Sequence, residues 1–380
     1  MNIVRKLADE IGVRYGGSRE EAEAAEYIKS CFEQLGLEID VQKAQILSWN
    51  SPWPPEVQIL VPEKVKLEAA PMVYTASTPE KGICGRLVKI GKHAQSPGVR
   101  EFEWVKYGIL SQEGDYIGHI IARPNGPAIS VINHSRGMPY STPTAIIGKE
   151  DKERIDSLLA SCQEVIAKLR TKASYQPNKY IQNVIATLPG KLSKSVIISA
   201  HHDSPFGSPG AVDNASGVET IFRLAKELKG SNPEYSIKFI SFGGEEPYLL
   251  GARYYVRDLK ERGLLGTILL NINLDSVGIE ENIKIYCGPE GLKKNVQYLF
   301  ESHHAFEEKK VEYDLPKAIT DDYAFAEEGI PTILFMYWPY PQYHLPSDTS
   351  DIVEESSIEG TVSRIKLLLG NLDTLFLKRI

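Results

Sequence analysis

The chain has 380 residues, 42% of them hydrophobic and 24% charged, which fits a globular protein long enough for two domains and a large buried core. Its formal net charge of -7 offers no basic field, so nucleic acid and an anionic membrane are excluded as partners. Cys31, Cys84, Cys162 and Cys287 lie far apart without CxxC or finger spacing, which excludes a cysteine zinc finger and a disulfide framework.

The N-terminal MNIVRKLADEIG breaks its apolar residues with charges and does not read as a signal peptide. No stretch approaches the roughly 18 apolar residues of a membrane span, and a cytoplasmic location is expected. Ser18 followed by Glu21 forms a capping box, after which Ala24, Ile28, Cys31 and Leu35 make one apolar stripe ending at Gly36. The prolines of WNSPWPPEV, Trp49 to Val57, predict a linker, with Trp49 and Trp53 packing at a domain interface.

Between about Val57 and Tyr175, short β-like runs such as CGRLVKI, HIIARPN, AISVI and TAIIG alternate with turns. A helix carrying Ile155, Leu158, Leu159, Cys162, Ile166 and Leu169 closes this segment. From Asn183 the pattern changes to VIISA, a loop, a helix with Val218, Ile221, Phe222, Ala225 and Leu228, then SIKFISF. The runs GTILLNINL, IKIYC and PTILFM add strands, with helices around Tyr254 to Leu259 and Val296 to Phe300. The expected fold class is α/β, a mixed and mostly parallel sheet sandwiched by helices, with an inserted β-rich domain. Residues 1–50 plus 175–380 form the α/β domain and 55–172 the insertion.

Open α/β sheets place ligands at the carboxyl ends of their strands. His201, His202 and Asp203 follow VIISA, Gly243 to Glu246 follow SIKFISF, Asp275 ends LLNINL, and His344 follows PTILFM. Acids and imidazoles are thus predicted on one rim. A phosphate loop is disfavoured, because Gly-Lys-Ser/Thr and GxGxxG are both missing and Asp213 sits at the helix start. Two divalent ions about 3.5 to 4 Å apart need imidazoles and a bridging carboxylate. The charges of Asp213, Glu246 and Asp275 with a hydroxide balance two dications. In the adjacent pair Glu245-Glu246, one carboxylate can bind metal while the other handles a proton. Asp203 is placed to orient the imidazole of His201.

The motifs AHHDSP, GAVDNASG, FGGEEPYLLGA, NLDSVG and YHLPSDTSD, in this order, resemble the co-catalytic zinc metallopeptidases. That family contains the bacterial aminopeptidases, glutamate carboxypeptidase and the transferrin receptor. The resemblance implies Asp213 as bridging ligand, His201 and Asp275 on one zinc, Glu246 and His344 on the other, and Glu245 as general base. It implies two divalent ions, zinc or a cobalt substitute, and peptide substrates; homo-oligomerisation stays open. The insertion is similar to the protease-associated domain of some relatives. One departure is Thr320-Asp321-Asp322, where many relatives carry Ser-Asp-His.

The resemblance implies an exopeptidase, and the expected one is an aminopeptidase that removes N-terminal residues by metal-activated water, with a carboxypeptidase or dipeptidase as the alternative. An aminopeptidase needs acids for the free amine, for which Glu280, Glu281 and Asp321 are candidates. A carboxypeptidase or dipeptidase needs a cation for the terminal carboxylate, for which Arg136 is a candidate. Two rivals of other classes are a non-catalytic receptor-like protein and a single-zinc glutaminyl cyclase-like transferase. Tyr340 and Tyr343 are candidates for stabilising an oxyanion, Asp348 for orienting a ligand, and His202, His303 and His304 are read as non-ligands.

Overall fold

Apolar runs too short for helices alternate with amphipathic segments from Leu192 onward, and in the computed structural model they pair as strands with helices between them. The structure describes residues 2–94, 103–132, 138–161, 164–307 and 309–376. The chain divides into two compact units, Met1–Gln45 with Tyr180–Ile380, and Ile46–Lys179.

The sheet of the larger unit is built on strands β1 (Glu38–Asn50) and β2 (Ser174–Leu188), which both run across the boundary between the units, and on β3 (Leu192–His201), β4 (Tyr235–Phe242), β5 (Ile268–Asp275), β6 (Ile283–Gly288), β7 (Val311–Asp314) and β8 (Thr332–Tyr337). Their order in the eight-stranded sheet is β1-β2-β4-β3-β5-β8-β6-β7. The central four, β4-β3-β5-β8, are parallel, while β2 and β6 run antiparallel to their neighbours β4 and β8. Parallel strands need crossovers, and helices supply them. The longer ones are α1 (Arg19–Gln34), α2 (Ser216–Leu228), α3 (Leu250–Glu261), α4 (Glu290–Ser302) and α5 (Glu355–Leu369).

Successive residues of a strand face opposite sides, so the central strand feeds two cores. Ile197 of β3 joins a buried cluster with Ala252, Tyr255, Val256 and Leu259 of α3. On α2, Val218, Ile221, Leu224 and Ala225 are buried, and this helix packs against β3 and α5. Ser18 caps α1 as its position predicts, its hydroxyl accepting the Glu21 N–H at 3.0 Å.

Two expectations are corrected. The predicted linker from Trp49 to Val57 is shorter at both ends: Trp49 lies at the end of the long strand β1, whose mix of charges and apolar residues hid a strand with one wet side, and Glu56 and Val57 begin another strand, Glu56–Val61. The supposed stripe from Ile155 to Leu169 is two elements: a helix, Lys149–Ser161, and a strand, Ile166–Arg170, whose Ala167 and Leu169 point inward by alternation. Cys162 lies outside the described residues. In the smaller unit the Trp49 ring centroid lies 6.5 Å from that of Tyr74, and Trp53 lies under the guanidinium of Arg170 at 4.4 Å.

The smaller unit holds a nine-stranded mixed sheet over a core that includes Val57, Ile59, Leu87, Tyr107, Ile120 and Leu169. Among the described residues, no helix is long and apolar enough to cross a membrane.

Ile198 sits mid-strand on β3, fully buried and paired with Phe239 and Ile272. Ile198→Ala is expected to cost about 2–5 kcal/mol, read as a lowered midpoint in guanidinium unfolding followed by far-UV circular dichroism.

Candidate metal centre

Each parallel strand of the larger unit ends in a residue that can bind a metal or move a proton, or leads into a loop that carries one. β3 ends at His201, β4 leads through Gly243 and Gly244 to Glu245 and Glu246, β5 ends at Asp275, and the segment after β8 reaches His344. Asp213 enters from the turn Ala211–Ala215 ahead of α2. There Asp213 and Asn214 leave helical geometry, which lets the carboxylate face the rim.

The ligand atoms converge. Those of His201, Asp213 and Glu246 lie within 4.8 Å of one another, as do those of His201, Glu245 and Asp275. His201 Nε2 is 3.2 Å from Asp213 Oδ1, 3.8 Å from Asp275 Oδ1 and 4.0 Å from Glu245 Oε2. His344 Nε2 is 3.3 Å from Asp213 Oδ2 and 3.7 Å from Glu246 Oε2. The two oxygens of Asp213 therefore face two different imidazoles, the geometry a bridging carboxylate needs.

The site tests well as a metal site. His201 Nε2 is buried and has no hydrogen-bond partner among the described residues, although a carboxylate oxygen lies 3.2 Å away. The nitrogen and the oxygen thus point toward a shared point rather than at each other. His201 Nδ1 lies 3.1 Å from the main-chain oxygen of Asp203, which as an acceptor fixes the proton on Nδ1 and turns the Nε2 lone pair to the cluster.

Asp203 has a further task that sequence reasoning missed. Its carboxylate is 3.5 Å from His201 Nδ1, and its two oxygens accept the N–H groups of Glu245 at 3.0 Å and Glu246 at 3.2 Å. Asp348, a candidate for orienting a ligand, accepts the N–H groups of Val212 at 2.8 Å and Asp213 at 3.2 Å. Asn214 donates to the Leu274 carbonyl at 2.7 Å and accepts from Ser276 at 3.2 Å, bracketing Asp275. The loop before Asp213 closes tightly. At Gly210, where φ is +57°, an added Cβ would fall 2.1 Å from the Asp213 carbonyl oxygen. His344 also holds a left-handed φ of 59°, a strained choice for histidine of the kind found at functional sites.

Burial and mutual repulsion dominate the electrostatics. Burial pushes Glu245 well above the usual carboxylate range, reinforced by Asp275, Asp321 and Asp203 and opposed by His201. Glu246 and Asp275 rise for the same reasons, burial first and Asp213 next. Asp213 goes the other way, because the imidazoles of His201 and His344 outweigh its burial. Burial alone would lower the His201 pKa, yet Glu245, Asp203, Asp213 and Asp275 hold it well above its ordinary value.

The remaining candidates separate. His202 is structural as read, bonded to Ser241 Oγ at 2.9 Å and Glu21 Oε1 at 3.1 Å. Glu280 is occupied by Arg364 and Lys309, and Glu281 is exposed on the surface. Asp321 is fully buried, and neither of its oxygens has a hydrogen-bond partner among the described residues. Tyr340 donates to Asp348 at 2.9 Å, whereas Tyr343 lays its ring on His344 with centroids 3.9 Å apart. Arg136 lies outside the described residues.

Residues 183–367 match the family model described as Peptidase family M28. Aminopeptidase YwaD of Bacillus subtilis strain 168 is 29% identical, over 94% of this chain and 81% of its own length. An aminopeptidase from Aneurinibacillus sp. strain AM-1 has a similar structure, at TM-score 0.75 and 23% identity over 97% of this chain and 92% of that one. A zinc aminopeptidase from Bacillus subtilis, BSAP, matches at TM-score 0.68 and 21% identity over 98% and 93%. At those identities the two structural matches establish the α/β fold.

The acid cluster makes metal-free stability depend on pH. Burial raises Asp322 to about 7 and Asp348 to about 6, with Asp275 and Asp213 respectively adding to the rise. From about pH 4 to 7 the folded state therefore holds protons that the unfolded chain has released, so these groups lose stability as pH rises. His119 of the smaller unit, lowered to about 4 chiefly by burial, has the opposite sign below its ordinary value. The expected outcome is that zinc raises the thermal midpoint of the larger unit more at about pH 8 than at about pH 5, measured by scanning calorimetry.

Proposed function

We propose that the protein is a zinc-dependent aminopeptidase that removes N-terminal residues from peptides, a reading supported by the match of residues 183–367 to the model of Peptidase family M28. The observation that carries this reading is Asp213, whose two oxygens face His201 Nε2 at 3.2 Å and His344 Nε2 at 3.3 Å. His201 with Asp275 would hold one ion, Glu246 with His344 the other, and Asp213 both. When bound, zinc lowers the pKa of a coordinated water to about 7 and polarises a carbonyl.

The chain's own residues supply the rest. Glu245, buried and held well above the ordinary carboxylate range, accepts the proton of the attacking water on its carboxylate and returns it to the departing amine. Asp203 holds the Glu245 and Glu246 N–H groups, so proton carrier and ligand keep their separate directions. The Tyr343 hydroxyl, kept protonated by burial and the nearby carboxylates, is the donor for negative charge on the carbonyl oxygen. Tyr340 is committed to Asp348.

Charge favours the amino end of the substrate. Asp321 is fully buried and neither of its oxygens has a hydrogen-bond partner among the described residues, so a charge there lacks a balancing group. An ammonium group supplies one, and a terminal carboxylate adds to the negative charge. The paired imidazoles around one carboxylate also favour two ions over the single ion of a cyclase-like site.

With peptides supplied both free and N-acetylated, the zinc-loaded protein is expected to shorten only the free ones, from the N-terminus, by mass spectrometry. Shortening of acetylated peptides from the other end would sink the aminopeptidase reading. Glu245→Gln is expected to keep its zinc and lose about 10²–10⁴-fold in kcat. Asp213→Ala is expected to lose zinc as well, read by elemental analysis after gel filtration.

A further inference from the structure

We infer that Arg14 is a positioning residue for the metal centre: with Ser204 it locks the loop between His201 and Asp213 at a metal-binding separation. The inference rests on the reading of those two residues as ligands.

Arg14 belongs to no motif of the site, yet its side chain is fully buried beneath it. Among the described residues its guanidinium donates only to main-chain carbonyls. Nε donates to His202, Nη1 to Pro209 and, more weakly, to Leu7 and Gly12, and Nη2 to Gly210 at 2.8 Å. His202 directly follows His201, and Gly210 lies three residues before Asp213. One side chain therefore ties both ends of the loop that separates two ligands.

The loop needs such a tie because it has no ladder of its own. Residues 202–210 lie outside helix and strand, so their carbonyls must find donors elsewhere. Ser204 completes the lock. Its hydroxyl accepts the Arg14 main-chain N–H at 3.0 Å and donates to the Ser208 carbonyl at 2.9 Å. Ser208 in turn donates to the Leu345 carbonyl at 2.9 Å, next to His344.

The position of the charge matters as much as the bonds. A cation paired directly with Asp213 or Glu246 would occupy the oxygens a metal requires. Arg14 instead binds carbonyls behind the loop, and its charge still acts on Asp203, Asp348, Asp213 and Glu246. It relieves their mutual repulsion and leaves their oxygens available. A planar fork of donors suits several carbonyls converging from different segments, which the three donors of a lysine cannot span.

The test compares zinc affinity, by competition with a chelating dye, for wild type, Arg14→Lys and a control. The control is Ile28→Ala, which empties a buried site on α1 without touching the loop. Arg14→Lys is expected to bind zinc about 10–100-fold more weakly, while Ile28→Ala loses thermal stability and keeps wild-type affinity. Equal affinity in Arg14→Lys and wild type, or equal losses in both variants, would overturn the inference. If Arg14→Lys does not fold, Ser204→Ala decides by the same comparison. Wild-type protein that takes up no zinc would overturn the metal reading, and the inference with it.

Discussion

Carboxylates that share a space with little water raise one another's energy, and the larger unit is organised around containing that repulsion. Glu245, Glu246, Asp275 and Asp321 are all held above their ordinary pKa values, first by burial and then by their acidic neighbours. Such a cluster destabilises a fold unless something holds it. A well-packed apolar rim would be more stable, so the charge reflects what the site must bind.

The holding is done by a ring of side chain-to-backbone bonds, each reaching from one strand end to another. Asp203 after β3 grips the N–H groups after β4. Asn214 before α2 grips the chain on both sides of Asp275 after β5. Asp348, in the segment after β8, grips the N–H groups of Val212 and Asp213. Arg14 and Ser204 close the ring from the N-terminal segment. Because these braces end on main chain, they leave the side-chain oxygens and nitrogens of the cluster unoccupied; of the two Asp275 oxygens, Oδ1 alone also accepts a neighbouring hydroxyl, from Ser276 at 3.0 Å. The arrangement therefore holds its shape without using up the capacity to coordinate.

Strand ends were legible because short apolar runs announce them and polar residues follow at once. VIISA before His201 and LLNINL before Asp275 mark both the element and the rim, and the structure brings those two side chains within 3.8 Å. Partners distant in sequence were not legible. Arg14 and His202 are 188 residues apart, and no local pattern separates an arginine beneath a loop from one in solvent. Glu21 shows the same limit. It completes a capping pattern with Ser18, but its carboxylate accepts from His202 and from the Gln182 N–H at 3.2 Å. Strand β1 was hidden because its charged residues face outward, so its apolar content never formed a run.

Adjacent like residues are the most compact expression of how this rim is made. His201 and His202 follow one another at the end of β3 and point to opposite sides. The first faces Asp213, and the second is fastened to Ser241 and Glu21 in the interior. Fastening the second fixes the backbone from which the first projects, and Arg14 then takes the His202 carbonyl. Glu245 and Glu246 repeat the scheme, with both N–H groups on Asp203 while one carboxylate faces His201 and the other His344. In each doublet the backbone is fixed by contacts that the working side chain does not make. A substitution can therefore disturb the site without touching any residue that would meet metal or peptide, through the second histidine or the aspartate beneath the glutamates.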